Sequence, residues 1–593
     1  MWPSRHGDRR AMLSVSSRSS IPKYWVLGAI TLLAFGLRIW SLGYGLPGIF
    51  NMDEKPILDR ALTFAKGDPN PHNFLYPTLY LYALFAWEGL YFLVGRATGL
   101  FHSLGEFRNA YFVDASGHFL AARALTALFG TATIAAVYWY GSRLFDRSVG
   151  LAAALFLAVA PMAVRDAHYV KLDVPVAFFA VLAHAALAQI VVDGRRGARR
   201  AWLIAGACAG LAISTQYYAV FLAVPFLAAA AVDIRRSRRW QVSAGLLLWA
   251  GLATVAVFVA TSPFFLLEPS NVARDFRELR AVDLDRAVGL GLFSSFPAYA
   301  KLLFGVALGY PVFLLGVLGG ILALSRDWPR GLLLTSFPLV FIGFVSNTFP
   351  ASRYLNIVLP CFAVAAAYAA ARIAERAGDR RARAMVAICL LASVPALSDS
   401  VRWDLFFGQD DTRTLAARFI EREVPTGSTI LVQPYSAPIR QSREGLIEAL
   451  RASLGKESRA PMKFQLQLQA TAQEPTYRVL YVGEGGKTQA PPGDLDKIYI
   501  SPRAFTSDRR LQALRAARVE YVVLTRYGGT PPALAALRAA LDREAHRVAT
   551  FSPYRDDLEP ASAPVPPFRH NGNTGIHPVL ARPGPLVEIW RME

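Results

Sequence analysis

Long apolar runs separated by short arginine-rich turns dominate the first two thirds of the chain. A helix needs about 20 mostly apolar residues to cross the hydrocarbon core of a bilayer, where its backbone must satisfy its own hydrogen bonds. We therefore predict a polytopic α-helical membrane protein with about 11 spans, within residues 24–398. The predicted spans are residues 24–44, 119–143, 149–165, 174–192, 200–215, 217–234, 240–262, 299–324, 330–347, 353–371 and 384–398.

The composition supports a membrane protein and excludes a soluble globular protein and a disordered chain. Of the 593 residues, 54% are hydrophobic and 18% are charged, whereas soluble domains carry about 25% charged residues. The net charge of +20 would suit a nucleic-acid partner only if the basic residues formed one face. They lie in short clusters between the apolar runs, so the sequence predicts the lipid bilayer as a partner and no nucleic acid.

The basic clusters also predict the orientation in the membrane. Residues 1–23 form a basic segment that we expect to be cytoplasmic, and the run after it lacks a small-residue cleavage site, so it is a retained anchor. The later arginine clusters fall inside only if the apolar, aromatic-rich segment 74–95 does not cross. We predict that this segment is an interfacial or re-entrant helix within an outer loop, residues 45–118.

The last 195 residues have the pattern of a soluble α/β domain, which we predict over residues 399–593. An amphipathic helix precedes the strand STILV, and KIYIS, VEYVVLT and VEIWRM are further predicted strands, with a helix at about 531–546. This alternation favours a small parallel or mixed sheet covered by helices, and the proline-rich stretch 559–585 is predicted to be loop. The orientation places this domain outside the cytoplasm, in the periplasm or extracellular space of a cell that carries the chain in its inner or plasma membrane.

Two groups of charged residues on the predicted outer face are candidates for chemistry. Asp53 and Glu54 follow the first span, where one carboxylate could act as a base on an acceptor hydroxyl while its neighbour orients it. In the stretch RDAHYVKLDVP, Arg165, His168 and Lys171 could bind an anionic group, and Asp173 could add a second carboxylate. The alternatives are a solvated acidic pair and an interfacial cluster of salt bridges.

Further candidates are three isolated residues and a metal ion. Prolines around His72 and Tyr76 could hold these side chains near the same surface, and Arg353 could bind phosphate, although a structural histidine and a snorkelling arginine are the plainer interpretations. Asp53, Glu54 and Asp173 could share a divalent cation, but no set of histidines or cysteines specifies one. No HExxH or CxxC motif occurs.

Four motifs in succession carry a resemblance to a known family. The motifs are NMDEKP, PNPHNFLYPTLYLY, the helix pair ARALTALFG and RLFDRSVGLAAALFLAVAP, and HYVKLDVPVAFFAVL, and SRYLNIVLP follows later. Over about residues 20–400 the chain resembles the GT-C glycosyltransferases of family 39, the enzymes similar to protein O-mannosyltransferases and aminoarabinose transferases. Residues 399–593 match no family that we can name.

The resemblance implies inverting transfer of a sugar from a polyprenyl-phosphate donor to an extracytoplasmic acceptor. By position, Asp53 resembles the carboxylate that acts as the base, with Glu54 as its partner, and Asp173 resembles the second carboxylate of the active site. His168 and Lys171 lie where contacts to the donor phosphate are expected. The acceptor, whether protein, glycolipid or polysaccharide, stays open, and so does the sugar.

Other functions remain possible at this point. A transferase of longer lipid-linked oligosaccharides would share these features. A transporter or flippase of lipid-linked sugars would also have many spans, but its ionisable groups usually lie near the bilayer midplane between repeated halves. A non-catalytic scaffold is the third alternative.

Overall fold

The structure is a computed structural model that describes ten stretches of the chain. These are residues 23–194, 198–286, 288–454, 460–470, 474–483, 495–505, 511–528, 532–556, 558–573 and 575–593. The basic segment before Lys23 lies outside these residues, so its cytoplasmic placement stays a prediction.

Helices make up the described chain up to Phe407, because its apolar side chains are spaced for burial against neighbouring helices and lipid. The helices are α1 (Lys23–Ile39), α2 (Glu54–Thr63), α3 (Leu79–Ala97), α4 (Leu104–Val113), α5 (Ser116–Leu144), α6 (Arg147–Ala158), α7 (Pro161–Asp166), α8 (Asp173–Asp193), α9 (Ala198–Ile213), α10 (Ala223–Ser237), α11 (Trp240–Thr261), α12 (Phe264–Leu267), α13 (Pro269–Arg286), α14 (Phe296–Lys301), α15 (Tyr310–Arg326), α16 (Trp328–Val345), α17 (Leu359–Ala374) and α18 (Arg381–Phe407). Short 3-10 turns cover Phe64–Lys66, Tyr217–Leu222, Ser352–Ile357 and Glu375–Arg380, and a π-helical turn covers Leu302–Ala307.

Six helical stretches among the described residues are long and apolar enough to cross a membrane. They are Ser116–Leu144, Asp173–Asp193, Tyr217–Ser237, Trp240–Thr261, Trp328–Val345 and Leu359–Glu423. A seventh is added if Phe296–Ala307 and Tyr310–Arg326, which meet at 119°, form one broken span. Each of the eleven predicted segments contains helix, but the number that cross stays a prediction.

The structure shows how two of the predicted segments are built, and it corrects one of them. The segment 149–165 is not one continuous helix, since α6 ends at Ala158 and α7 begins at Pro161, whose ring lacks the N–H that a continuing helix needs. The segment 74–95 forms α3, which is not among the six span candidates. It packs along the start of α5, where the Tyr80 hydroxyl lies 2.6 Å from that of Thr126.

The loops predicted to be on the outer face lie together at one end of the helices. The backbone N–H of Phe74 donates to Asp275 at 2.7 Å, and the N–H of Leu79 donates to the carbonyl oxygen of Ser214 at 3.0 Å. The N–H of Val170 donates to Glu54 at 3.0 Å. Four loops that are distant in sequence therefore share one surface, as the predicted topology requires, while the side of the membrane stays a prediction.

The C-terminal domain is built on a mixed sheet of six strands in the order β3-β2-β1-β4-β6-β5. Strands β1 to β4 run parallel, and β6 is antiparallel to both of its neighbours. Apolar clusters cover both faces of the sheet, with α19 on one face and α22 and α23 on the other. The elements are α19 (Thr412–Glu423), β1 (Thr429–Val432), α20 (Arg443–Leu454), α21 (Met462–Ala470), β2 (Arg478–Val482), β3 (Ile498–Ile500), a 3-10 turn (Pro502–Phe505), α22 (Gln512–Ala516), β4 (Tyr521–Arg526), α23 (Pro532–Glu544), β5 (Ala545–Phe551) and β6 (Leu586–Met592).

The sequence predicted four of these strands and missed β2 and β5. The helix predicted over 531–546 ends at Glu544, and β5 follows it directly. The described residues between 559 and 585 form neither helix nor strand.

Gly319 lies where α15 and α17 pack closely together. A Cβ atom at this position in α15 would overlap the backbone carbonyl of Ala365 in α17. We expect Gly319→Ala to destabilise the folded protein by about 1–3 kcal/mol, because overpacking forces neighbouring backbones apart. Thermal unfolding in detergent checks this. Gly251→Ala on α11, where nothing lies within 4 Å of the new Cβ, is the control, and equal melting temperatures for both variants would contradict the prediction.

Candidate active site

Asp53 lies at the centre of the polar cluster formed by the outer loops. It immediately precedes α2, and its backbone N–H donates to the Asn51 side chain at 3.1 Å. Its Oδ2 accepts from Arg353 at 2.6 Å and from the amide of Asn571 at 2.9 Å. The Asp53 side chain is 29% exposed, so this carboxylate is held in place and still reachable from outside.

Glu54, the neighbouring carboxylate, is fully buried and fully paired. Its two oxygens accept from Nε and Nη2 of Arg123 at 2.9 and 3.0 Å. The hydroxyl of Tyr44 and the N–H of Val170 complete its hydrogen bonds, at 3.2 and 3.0 Å. The two adjacent acids therefore face different surroundings, and only Asp53 reaches the open part of the cluster.

The end of α7 and the loop that follows it supply two of the cations, Arg165 and Lys171. The guanidinium of Arg165 donates to Asp166 at 2.9 Å, and Asp166 also accepts from Asn356 at 2.6 Å. Lys171 is buried, donates to Asn571, and lies 4.6 Å from the centre of the Tyr169 ring. These residues hold the loop against the turn at Ser352–Ile357, to which Arg165 donates through the Ser352 hydroxyl at 3.0 Å.

Asp173 and Tyr76 flank the same cluster. Asp173 is buried at the start of α8 and accepts from the hydroxyl of Tyr218 at 2.9 Å. Burial raises the pKa of Tyr76, while Arg353 opposes this and Asp53 and Asp173 add to it. The Tyr76 phenol is thus within electrostatic reach of the two carboxylates and the arginine that the sequence analysis selected.

The two candidate histidines lie apart from this cluster. Both ring nitrogens of His168 contact backbone carbonyls, those of Val164 at 2.9 Å and Trp40 at 2.7 Å, and the ring is fully buried beside Asp404. His72 is 61% exposed and pairs with Asp68 at 2.7 Å. The structure brings Asp53, Arg353, Lys171, Arg165, Asp173 and Tyr76 together but does not bring either histidine to them.

The pKa values of Asp166 and Lys171 are both lowered, which stabilises the charge of the aspartate and destabilises that of the lysine. Burial raises the pKa of Asp166, but Arg165 and Lys171 outweigh it and hold this pKa below its usual value. Burial lowers the pKa of Lys171, and Asp166, Asp53 and Asp173 counteract only part of that effect. Lys171 is therefore a cation whose charge is lost more readily than that of a solvated lysine.

The carboxylates that could have shared a metal ion do not converge. Glu54 is occupied by Arg123, and Asp53 faces Arg353 and Asn571. Among the described residues, no group of three or more histidine, cysteine or acidic side chains is arranged to hold a metal ion. The side chains that the structure describes therefore do not fit a metal centre.

Sequence reasoning missed several polar residues of the site, among them Asn51, Ser352 and Asn571. Asn51 and Ser352 lie next to predicted residues, but Asn571 belongs to the predicted loop 559–585 of the C-terminal domain. Its dipeptide Asn571-Gly572 is the one local signal, because Asn-Gly favours tight turns, and Asn571 has a left-handed φ of 66°. That signal predicts a turn but does not predict which part of the protein the turn contacts.

A family model and several solved structures resemble the chain. Residues 114–264 match the model described as dolichyl-phosphate-mannose-protein mannosyltransferase. ArnT from Cupriavidus metallidurans bound to undecaprenyl phosphate is 16% identical with a TM-score of 0.54, and the alignment covers 89% of this chain and 96% of that one. The apo state of the same protein gives 15% identity, a TM-score of 0.52 and the same coverage. No curated protein sequence matches.

These comparisons confirm the resemblance to GT-C glycosyltransferases and show that the chain has the GT-C membrane fold. With the apolar helices, they also support a multi-pass membrane protein.

Glu54 provides a test of the buried ion pair. We expect Glu54→Ala to cost about 3–5 kcal/mol of stability, because it leaves the Arg123 charge buried without a partner. Thermal unfolding in detergent measures the loss. Glu106→Ala is the control, since this side chain is 53% exposed and pairs only with surface groups. If the Glu54 variant unfolds at the wild-type temperature, the ion pair does not hold the loops together.

Proposed function

We propose that the chain transfers a sugar from a polyprenyl-phosphate donor to a hydroxyl group of an extracytoplasmic acceptor. The observation that carries this proposal is the reachable carboxylate of Asp53, held 2.6 Å from Arg353 and close to Lys171 and Asp173. A base beside cations is what transfer from a phosphate requires, because the acceptor loses a proton while the leaving group gains negative charge.

The proposed reaction has one chemical step. The acceptor oxygen attacks the anomeric carbon and forms the new glycosidic bond, while the bond from that carbon to the phosphate oxygen breaks. The hydroxyl proton passes to Asp53, and the electron pair of the broken bond leaves with the polyprenyl phosphate. Oδ1 of Asp53 accepts no hydrogen bond from the described residues, so it is the oxygen free to meet the acceptor.

Arg353 and Lys171 are the proposed contacts to the donor phosphate, and Arg165 braces the loop that carries Lys171. The phosphate competes with Asp53 for the Arg353 guanidinium, since both are anions that accept from it. Donor binding then frees Asp53 from its ion pair with Arg353. Glu54 and His168 are buried and hold the loops of the site in place. Asp173 lies near the cationic side chains of the site, and Tyr76 lies at the outer side of the site.

An apolar cavity of about 710 Å³ supports a lipid-linked donor. Helices α14 to α17 enclose it, with Phe296, Leu303, Val317, Leu339 and Phe362 among its lining residues. Next to the lining residue Ala300, the hydroxyl of Tyr299 accepts from the N–H of Ala351, immediately before the turn that carries Arg353. A chain of isoprene units in this cavity would place its phosphate at the level of the cluster.

The comparisons support the general kind of reaction. The structure of ArnT contains undecaprenyl phosphate, and the matching family model describes a transferase that uses a lipid-phosphate sugar. The sugar and the acceptor are left to the experiment, with protein, glycolipid and polysaccharide as the classes to examine.

We expect Asp53→Asn to lower transfer by about a hundredfold or more, because an amide cannot take the acceptor proton. Asp173→Asn is expected to lower it as well, since this carboxylate is one of the charges that balance the cations. The assay supplies membranes containing the chain with polyprenyl phosphates carrying different radiolabelled sugars and with an envelope fraction as acceptor.

Asp68→Asn is the matched control, because Asp68 is an exposed acid of the same outer loop that contacts His72 and not the cluster. Full transfer by Asp53→Asn would remove Asp53 as the base. If wild type binds the donors without transferring any label, a transporter or scaffold becomes the better interpretation.

Lys171 gives a prediction about pH. Since burial lowers its pKa from the ordinary 10.5, we expect the binding of undecaprenyl phosphate to weaken as pH rises through this lowered value. Lys171→Arg should keep binding constant over the same range, because a guanidinium stays charged. Binding in detergent micelles measured from pH 7 to 10.5 checks both variants. Identical pH profiles would show that Lys171 is not the phosphate contact.

A further inference from the structure

The loop His570–Asn573 of the C-terminal domain is seated among the charged residues of the membrane domain. We name these four residues the strap. They lie between Asp53, the loop that carries Lys171, and the turn that carries Arg353. No other described residue after Asn356 donates a hydrogen bond to Asp53.

Asn571 contacts an anion and a cation of the site at once. Its amide nitrogen donates to Oδ2 of Asp53 at 2.9 Å and to the side chain of Asn51 at 3.0 Å. Its amide oxygen accepts from the ammonium of Lys171. Among uncharged side chains only an amide offers two N–H donors and a carbonyl acceptor on one plane, so this residue type suits the space between a carboxylate and an ammonium group.

The rest of the strap is tied to the membrane domain by separate contacts. The carbonyl of Gly572 accepts from Arg165 at 3.3 Å. The Asn573 side chain accepts from the N–H of Ser352 at 3.0 Å and donates to the carbonyl of Pro350 at 2.8 Å. The ring of His570 lies 3.1 Å from the Tyr169 hydroxyl and stacks on Tyr44.

An aromatic cluster fixes the strap where it leaves the C-terminal domain. Phe568 packs against Trp403, Phe406 and Phe407 at the end of α18, with ring centres 5.4–6.1 Å apart. Tyr44 from the end of the first predicted span joins the same cluster. Because its base is buried and the strap is bonded to three elements of the membrane domain, Asn571 is held at the site while Asn573 only anchors the strap.

We propose that Asn571 is a positioning residue of the transfer site, which the C-terminal domain supplies to hold Asp53 and Lys171 in register. This inference rests on the proposed function. The amide fixes the orientation of the base, and because it is uncharged it adds no charge between the carboxylate and the ammonium group.

The first test compares two asparagines of the strap. We expect Asn571→Ala to lower kcat by about tenfold or more, the effect of losing a hydrogen bond to a charged group, with little change in the KM for the donor. Asn573→Ala removes anchoring bonds of the same strap and should keep kcat within about twofold. The assay is the radiolabel transfer described above, and thermal unfolding in detergent measures the stability of both variants.

Equal loss of kcat in the two variants would overturn the proposal, because the strap would then act only as an anchor. So would a kcat for Asn571→Ala that equals the wild-type value. Restoration of part of the kcat by Asn571→Gln, which carries the same amide, would support positioning by the amide group.

A second measurement is independent of transfer. Asn571→Asp places a carboxylate against Lys171 and the proposed phosphate position, so we expect it to bind undecaprenyl phosphate in detergent micelles at least about tenfold more weakly than wild type. Asn571→Ala adds no charge and should bind within about threefold of wild type. Wild-type affinity in Asn571→Asp would overturn the contact between Asn571 and the phosphate-binding cation. If wild type transfers no label, the proposed function fails, and this binding comparison still decides the role of Asn571 toward Lys171.

Discussion

The buried ion pair between Glu54 and Arg123 is the contact on which the rest of the site depends. Arg123 also donates to the carbonyls of Leu42 and Tyr44, both at 2.9 Å, while Glu54 accepts from the N–H of Val170. One pair thus joins the end of the first span, α2, α5 and the loop before α8. Since a buried charge is costly without its partner, these elements must meet at this point. Asp53 precedes Glu54 in sequence and so is placed at the edge of the same junction.

This arrangement explains why adjacent acids have different roles. Glu54 has all of its lone pairs directed at fixed donors and no exposure to solvent. Asp53 has one oxygen engaged and the other open, next to Arg353 and Lys171. A substrate can therefore reach the Asp53 carboxylate, whose side chain is 29% exposed, but not that of Glu54. The division of roles follows from surroundings and not from residue type.

The sequence predicted the broad architecture because lipid imposes a simple rule on it. Apolar length identified the long helical segments of the membrane domain but not the shorter or more polar helices of the outer loops, such as α2, α4 and α13. Basic clusters together with short acidic motifs pointed to the outer loops where the polar cluster lies. These rules use only local sequence, so they cannot predict the direction in which a side chain points. Nothing in HYVKLDVP shows that His168 points back toward Val164 and Trp40 while Lys171 points into the cluster. Strand β5 was missed because it follows α23 without a turn residue and is half-exposed at the edge of the sheet.

The strap marks the limit of prediction from local pattern. Asn571 is 518 residues from Asp53 and 400 from Lys171, and its proline-rich surroundings predict only a loop. A loop that forms no regular structure leaves its polar groups unsatisfied, and they need partners elsewhere. Here the partners are the charged residues of the membrane domain, which in turn need neutral groups to hold them apart without cancelling their charges. The irregular stretch of the C-terminal domain and the charge-rich loops of the membrane domain therefore supply each other's hydrogen-bond partners. This mutual requirement explains why the two domains meet at the site.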